Sequence, residues 1–457
     1  MSDVKHVKLS VVIPVYNAEH YIRQTIDSVL GQSLSDLEVI CVDDASADAS
    51  VNIIKEYQKK DFRVKLIKNE TNSYAGVCRN KGLAIAEGEY VHFLDADDLV
   101  EENAYEKFYM LASASKADFI KGRSKIFNND TGEISTTGLL DFAKVPEEAF
   151  GRVCTFFENP EIFSHIGVVP WNSIYRRAFL LEHGIEFNHL ICVNDRSFYN
   201  ETCIAADRIL LTREFLVRYR TNNHQSLVGN RARNFGCQFV SYDIVKEQCR
   251  KYLIQGSLLK CILDRELVDL FVWYRRYSKV PEIQEKIKAQ TKAFLQNLDK
   301  EPFQGGVPEV RWYYDYLMLL ETHVLTVAVY LEGAPDLLEQ CLDSIRNQSV
   351  DKMQVYGIPG KEAGAEVFAK YACEDKRFRE TVSALEKVPR SAPYFFETYP
   401  KVFHKKNEFE NQIKKAMKTM GIKESHEVLL YKPETEKKTG LLQRALHKGK
   451  RILKGLK

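Results

Sequence analysis

The chain has 457 residues, with 65 Lys and Arg against 63 Asp and Glu, so its net charge is only +2. So even a balance gives no global field for nucleic acid, and 45% hydrophobic with 28% charged residues describes a core-forming chain of two or three domains. No apolar run is long enough to span a bilayer, Met1–His6 has no apolar signal-peptide core, and the ten Cys contain no CxxC pair. We therefore expect a cytoplasmic protein with reduced, buried thiols and no zinc site.

Leu9 to Val15 is a nearly continuous apolar run closing at Pro14 and Asn17, the pattern of a buried parallel strand. Asn17 is placed to N-cap a helix on which Tyr21, Ile22, Ile26, Val29 and Leu30 recur at helical spacing. Glu38 to Val42 reads as a second strand ending in Asp43-Asp44-Ala45-Ser46, and Ile53, Ile54 and Tyr57 mark a helix. Val64 to Ile67 is a third strand, Arg79 to Ala86 a helix stopped near Gly88, and Tyr90 to Leu94 a fourth strand. This alternation predicts a doubly wound parallel sheet, in which ligands gather outside the carboxyl ends of the strands.

Three polar signals fall at those ends: Pro14 to Asn17, Asp43-Asp44, and Asp95-Ala96-Asp97-Asp98. Three carboxylates side by side repel one another unless a cation or solvent offsets them. Hard oxygen ligands suit Mg²⁺ or Mn²⁺, which bind through one or two carboxylates plus phosphates. A plain solvated turn, with Asp98 capping the next helix, is the alternative.

From 100 to 230 helices mix with short strands and a Pro170-Trp171-Asn172-Ser173 loop, and from 232 to 320 long helices dominate, with a break at Gly305 to Pro308. The chain also repeats itself: Leu9–Asp44 aligns without a gap on Leu325–Gly360 at an offset of 316 residues, pairing Gln24/Gln340, Asp27/Asp343, Ser28/Ser344 and Gln32/Gln348. Tyr57, Asp61 and Arg63 match Tyr371, Asp375 and Arg377 at an offset of 314. The acids did not follow, since Asp43-Asp44 becomes Pro359-Gly360 and the triple Asp becomes Glu397-Thr398-Tyr399. From residue 439 the tail carries Leu441, Leu442, Leu446, Ile452 and Leu453 on one helical face, with many Lys and Arg and no acid. Such a basic amphipathic helix is a signal for an anionic membrane surface.

Four segments resemble the GT-A nucleotide-sugar glycosyltransferases of family 2, in that family's order and spacing. They are Ser10-Val11-Val12-Ile13-Pro14-Val15-Tyr16-Asn17, Val42-Asp43-Asp44-Ala45-Ser46, Ala75-Gly76-Val77-Cys78-Arg79-Asn80-Lys81-Gly82 and Phe93-Leu94-Asp95-Ala96-Asp97-Asp98. The resemblance implies an α/β fold of GT-A type, with a Rossmann-like nucleotide-binding sheet, then a helical region and a degenerate second α/β domain. The corresponding limits are 1–230 (1–100 for the nucleotide, 101–230 for the acceptor), 231–320, 321–438 and a tail at 439–457.

The resemblance further implies that Asp97 holds Mn²⁺ or Mg²⁺, that Asp95 and Ala96 meet the ribose side of the donor, and that Asp44, with Asp43 assisting or capping a helix, receives uracil. Pro14, Val15, Tyr16 and Asn17 would flank the base, and Arg79 would pair with an active-site Asp or a phosphate. Asp195, in Cys192-Val193-Asn194-Asp195-Arg196-Ser197-Phe198, matches the general base, although Asn194 stands where Glu is more frequent. His224, in Tyr219-Arg220-Thr221-Asn222-Asn223-His224-Gln225, matches a diphosphate or metal contact in the segment that closes over the donor. Trp171 and Asn172 are candidates to line the acceptor site, with a core role as the alternative.

The expected activity is inverting, metal-assisted hexosyl transfer from a UDP-sugar to a surface-polysaccharide or lipid-linked glycan. The chain would be cytoplasmic, peripheral at the membrane through its tail, without nucleic acid, and open to forming a homo-oligomer. Its rivals are a non-catalytic glycan-binding scaffold on the same fold and a nucleotidyltransferase. The latter lacks support because Pro14-Val15-Tyr16-Asn17 is not a Gly-rich, basic phosphate loop.

Overall fold

The computed structural model describes residues 6–136, 138–221, 232–278 and 280–298, residue 317, and beyond these the strands and helices of the C-terminal part with residues 375 and 377. The chain divides into two units, Met1–Gln290 and Thr291–Lys457.

In the first unit, β1 (Leu9–Val15), α1 (Ile22–Leu30), β2 (Leu37–Asp43), α2 (Ser50–Lys60), β3 (Val64–Lys68), α3 (Tyr74–Ile85) and β4 (Tyr90–Phe93) alternate as their apolar patterns predict. The strands lie parallel in the order β3-β2-β1-β4. Every residue of β2 is buried, as is every residue of β1 except the half-buried Pro14, which explains runs without polar alternation. Pro14 is tolerated because the β1–β4 ladder ends at Val12↔Phe93, so its missing N–H deprives no partner. Gly82 lets α3 lie directly on β1, since a Cβ there would come within 2.2 Å of a Val12 methyl.

The sheet continues through β5 (Leu99–Val100), α4 (Ala104–Ser115), β6 (Phe119–Asn128), β7 (Ile134–Ser135), β8 (Val153–Cys154), α5 (Pro160–Ser164), β9 (Ser173–Arg176), α6 (Arg177–His183), α7 (Asn194–Ala205) and β10 (Ile209–Thr221). Its order beyond β4 is β9-β6-β10-β5, with β9 antiparallel to both β4 and β6. The parallel sheet expected from the first four strands is observed, and the mixed pairing begins beyond them. The alternation that forces parallel crossovers stops at β4, and the chain re-enters at β9 from the opposite end.

The β4–β9 junction is fastened by His92, which is fully buried. Its Nε2 lies 2.7 Å from the Trp171 carbonyl and its Nδ1 2.8 Å from the Tyr105 hydroxyl. A carbonyl only accepts, so Nε2 carries the proton and Nδ1 accepts from Tyr105. Burial lowers the His92 pKa to about 4, against a smaller opposing effect of the Trp171 carbonyl. A depressed pKa means that the unfolded chain takes up the proton first. The neutral ring's stabilisation is complete above the unfolded value and is lost as pH falls through 6.5 towards 4, by about 3 kcal/mol in all. Urea melts between pH 7 and pH 4 should show this loss, and His92→Gln should remove most of that slope; a variant with the wild-type slope would refute the assignment.

Three helices follow: α8 (Cys237–Lys251), α9 (Gly256–Tyr277) and α10 (Gln284–Gln296). The buried stripe Ile262, Leu263, Leu267, Leu270, Phe271 and Tyr274 gives α9 its inner face. α8 packs on α7, and α9 on α8 and α5. The cysteines are free, as expected, and burial raises Cys41, Cys203 and Cys249 to about 12, which makes them inert packing groups. Among the described residues no helix is long and apolar enough to cross a membrane.

The second unit contains β11 (Leu325–Leu331), α11 (Pro335–Arg346), β12 (Met353–Pro359), α12 (Glu362–Glu374), β13 (Phe378–Thr381), β14 (Tyr394–Thr398) and β15 (Val428–Leu430). Its parallel sheet has the order β13-β12-β11-β14-β15, and the 316-residue offset holds in its register. Leu9↔Leu37 through Val15↔Asp43 becomes Leu325↔Met353 through Leu331↔Pro359.

Side-chain contacts repeat as well. Tyr57 donates to Asp27 and to the Arg23 carbonyl, and Tyr371 donates to Asp343 and to the Glu339 carbonyl. Arg63 grips Asp61 as Arg377 grips Asp375. One pair is inverted, because Arg23–Glu56 becomes Glu339–Lys370. Gly305–Pro308, Tyr399 and the tail at 439–457 lie outside the described residues.

Candidate active site

The loops after β1, β2 and β4 meet at one edge of the first sheet. Asn17, at φ +49°, does not cap α1, whose N-terminus lies at Tyr21. Instead its N–H donates to the Ser46 hydroxyl (3.0 Å) and its side-chain oxygen accepts from the Ala47 N–H (2.8 Å), stitching the first loop to the second. Asn tolerates this left-handed backbone better than most residues. Val15 is buried, whereas Tyr16 is half exposed at the rim.

Asp43 and Asp44 have opposite environments. Asp44 is consumed by the fold: Oδ1 accepts from Asn69 Nδ2 and the Ser73 N–H (both 2.8 Å), and Oδ2 from the Tyr74 N–H (2.7 Å). It therefore anchors the start of α3 and holds Tyr74 at φ +69°, a strained backbone for an aromatic residue. Asp43 is buried, and neither carboxylate oxygen has a hydrogen-bond partner in the structure. It caps no helix. An unpaired buried carboxylate is costly, and that cost marks it as a group awaiting a donor.

In the acidic loop, Asp95 and Asp97 are half-buried and Ala96 and Asp98 are buried. The Ala96 carbonyl accepts from the Thr25 hydroxyl at 2.8 Å. Asp98 does not cap α4, which begins only at Ala104; its Oδ1 accepts the Arg220 N–H at 2.8 Å and its Oδ2 has no hydrogen-bond partner. Burial, with Asp97 and Asp95 adding to it, pushes the Asp98 carboxyl well above the usual carboxylate range.

Arg220, on β10, clamps this loop. Nε donates to the Asp97 carbonyl (2.6 Å), Nη1 to Asn129 (2.7 Å) and Nη2 to Gln24 (2.9 Å), while the guanidinium faces the Tyr21 ring at 5.0 Å. The sequence reading did not single out Arg220, Gln24, Asn129 or Asn69, because they come together only through contacts between residues as many as 196 positions apart.

Arg79 ties the two halves together. It is buried, not an ordinary surface ion-pair residue; Nη2 donates to Asp95 Oδ1 at 2.6 Å and Nη1 to Asn194 Oδ1 at 2.9 Å, with the Phe187 ring 5.1 Å from the guanidinium. Asn194 opens α7, and Asp195 follows it, half-buried, with Oδ1 accepting the Arg196 N–H at 3.1 Å. The preceding Val193 adopts φ +64°, a conformation a β-branched residue takes only under constraint. Gly76 permits α3 to meet this turn, since a Cβ there would lie 2.4 Å from the Asn188 carbonyl and 3.3 Å from Asn194 Cβ. The fold thus brings Asp95 and the start of α7 onto one guanidinium.

Trp171 and Asn172 are both buried. Trp171 stacks on Tyr219 at 5.2 Å between ring centroids, and Asn172 accepts from Lys121 at 2.5 Å. His224 lies outside the described residues. Among the described residues no three His, Cys, Asp or Glu side chains converge as a ready-made metal cage.

Residues 10–184 match the family described as glycosyl transferase family 2. The putative glycosyltransferase EpsH of Bacillus subtilis is 31% identical over 216 residues, 46% of this chain and 60% of EpsH. The poly(ribitol-phosphate) beta-glucosyltransferase of Bacillus spizizenii is 29% identical over 240 residues, 50% of this chain and 35% of that protein. The chain therefore spans less than two thirds of the length of these relatives. The crystal structure of S. aureus TarS 1-349 in complex with UDP-GlcNAc superposes with a TM-score of 0.55 at 23% identity, covering 68% of this chain and 87% of that one, a likeness of fold. Residues 10–184 thus carry the match to glycosyl transferase family 2, on a fold of the GT-A type that TarS shares.

Proposed function

We propose that the protein is an inverting glycosyltransferase that moves a hexosyl group from a UDP-sugar to a glycan acceptor of the surface-polysaccharide or lipid-linked type. The observation that carries this reading is the Arg79 bridge, which sets the acidic loop and the Asp195 turn at a fixed relation, as donor and acceptor chemistry in one site requires. Relatives with glycosyltransferase names, and a UDP-GlcNAc complex of a protein with the same fold, support the donor class.

The chemistry follows from the residues. The acceptor hydroxyl oxygen attacks the anomeric carbon while its proton passes to the Asp195 carboxylate. The bond from that carbon to the diphosphate oxygen breaks on the opposite face, so one displacement inverts the centre and UDP leaves. Asp43, buried and unpartnered, accepts an N–H of the base; Asp44 holds the start of α3 beside it, and Tyr16 and Tyr74 flank the base. The acidic loop fits a hard divalent cation: its oxygen donors are Asp97 and Asp95, and Asp98 Oδ2 has no hydrogen-bond partner. Asp97 and Asp95 would hold such a cation, and when bound it would supply positive charge against the leaving diphosphate.

A panel of UDP-sugars assayed for UDP release with Mn²⁺ or Mg²⁺ tests the reading. Turnover of one or two donors, lost with EDTA, is expected; absence of both UDP binding and turnover across the panel would return the chain to the scaffold alternative.

A further inference from the structure

The first turn of α7 is held from two sides. Asn194 is fixed by Arg79 of α3, and Arg196, only 4% exposed, reaches the opposite way to α9. There Nη1 lies 3.6 Å from Glu266 Oε2 and Nη2 3.5 Å from Asp269 Oδ2. Glu266 is fully enclosed, and its Oε1 also accepts from Asn200 Nδ2 (3.0 Å), one turn further along α7, while Asn200 donates to the Arg196 carbonyl at 2.9 Å. Asp195 is therefore the half-buried residue between two anchored neighbours. The second anchor comes from a helix beyond residues 10–184, the span that matches the family.

We propose that Glu266 is a positioning residue for Asp195: through Arg196 and Asn200 it fixes the rotation of the α7 turn that carries the base. This rests on the reading of Asp195 as general base. A buried ion pair contributes little net stability against an apolar replacement, yet breaking one side leaves the other charge uncompensated. The charged groups around Glu266 are Arg196 from α7 and Arg265 and Asp269 from α9 itself, while α8 brings the neutral thiol of Cys249. Without the Glu266 carboxylate, Arg196 keeps only Asp269 as a charged partner, and the first turn of α7 loses its buried anchor. Glu266→Gln retains volume and the acceptor for Asn200 but removes the charge.

The test uses the full chain, with UDP-glucose or UDP-GlcNAc as donor, whichever the panel selects, and UDP affinity as an independent readout. Glu266→Gln should lower kcat about tenfold with donor KM and UDP affinity unchanged, the mark of a base that is present but misplaced. Glu266→Asp, which keeps the charge, should restore most of kcat. In an Asp195→Asn background, Glu266→Gln should have no further effect on the residual rate. A Glu266→Gln enzyme with wild-type kcat beside an inactive Asp195→Asn would overturn the inference alone. So would a loss of kcat that is matched by a loss of thermal stability and is not recovered by Glu266→Asp. An Asp195→Asn enzyme that keeps its kcat would overturn the base assignment and this inference with it.

Discussion

Asp97→Asn is expected to fold normally and to lose about 10³-fold in kcat, the rate equivalent of roughly 4 kcal/mol of transition-state stabilisation. The substitution keeps the size of the side chain and replaces an anionic oxygen by an amide, so the loop geometry set by Arg220 at the Asp97 carbonyl survives. What disappears is the negative charge that would retain a divalent cation beside the diphosphate. The loss should therefore be steepest at low Mn²⁺ and shallower at millimolar Mn²⁺, while the unfolding midpoint stays within a degree or two. A variant with wild-type turnover in EDTA would show that the leaving group is stabilised by protein cations alone, with Arg79, bonded to Asp95, the first candidate.

Asp195→Asn should abolish transfer to a comparable degree, about 10³-fold, with UDP affinity unchanged. The amide oxygen can still accept the Arg196 N–H, so the α7 turn has no reason to move. Arg79 bridges Asp95 and Asn194, the neighbour of Asp195, so donor binding and proton removal should separate in mutants of the two ends but fall together in Arg79→Met. Isothermal titration with UDP, beside single-turnover transfer, distinguishes these cases. Parallel loss of UDP binding in Asp195→Asn would move that residue to the donor side of the site.

The first four strands and their helices were readable because each is a local pattern: buried parallel strands such as Val11–Ile13 and Val39–Val42 are apolar on both faces, and their helices show a 3.6-residue period. The acidic loop and the position of Asp195 were also visible as motifs. What one-dimensional reading did not separate was the labour within a motif. Asp43 and Asp44 are chemically identical in sequence, and only the fold shows that Asn69, Ser73 and Tyr74 occupy one of them and leave the other without a partner. Asn17 and Asp98 looked like helix caps for the same reason: each has a cap's chemistry, but its partner is a distant strand or loop. Glu266 carried no local signal, and Arg220 lay in a recognised segment without a role of its own, since an Arg in a strand or a Glu in a helix is ordinary until its partner is known.

The inverted ion pair between the two α/β units bears on how a chain with two similar halves avoids confusing them. The order β3-β2-β1-β4 recurs as β13-β12-β11-β14, and the β1–β2 register as that of β11–β12, so the two halves offer similar seats for their first helices. With Arg23 facing Glu56 in one half and Glu339 facing Lys370 in the other, an exchanged pairing would set Arg23 against Lys370, or Glu339 against Glu56. Each correct surface pair contributes only a fraction of a kcal/mol, but each exchanged pair replaces attraction with repulsion, so the discrimination is counted twice. Duplicated folds are prone to swapping between copies during folding, and a reversal of polarity at matched positions gives each helix a preference for its own half.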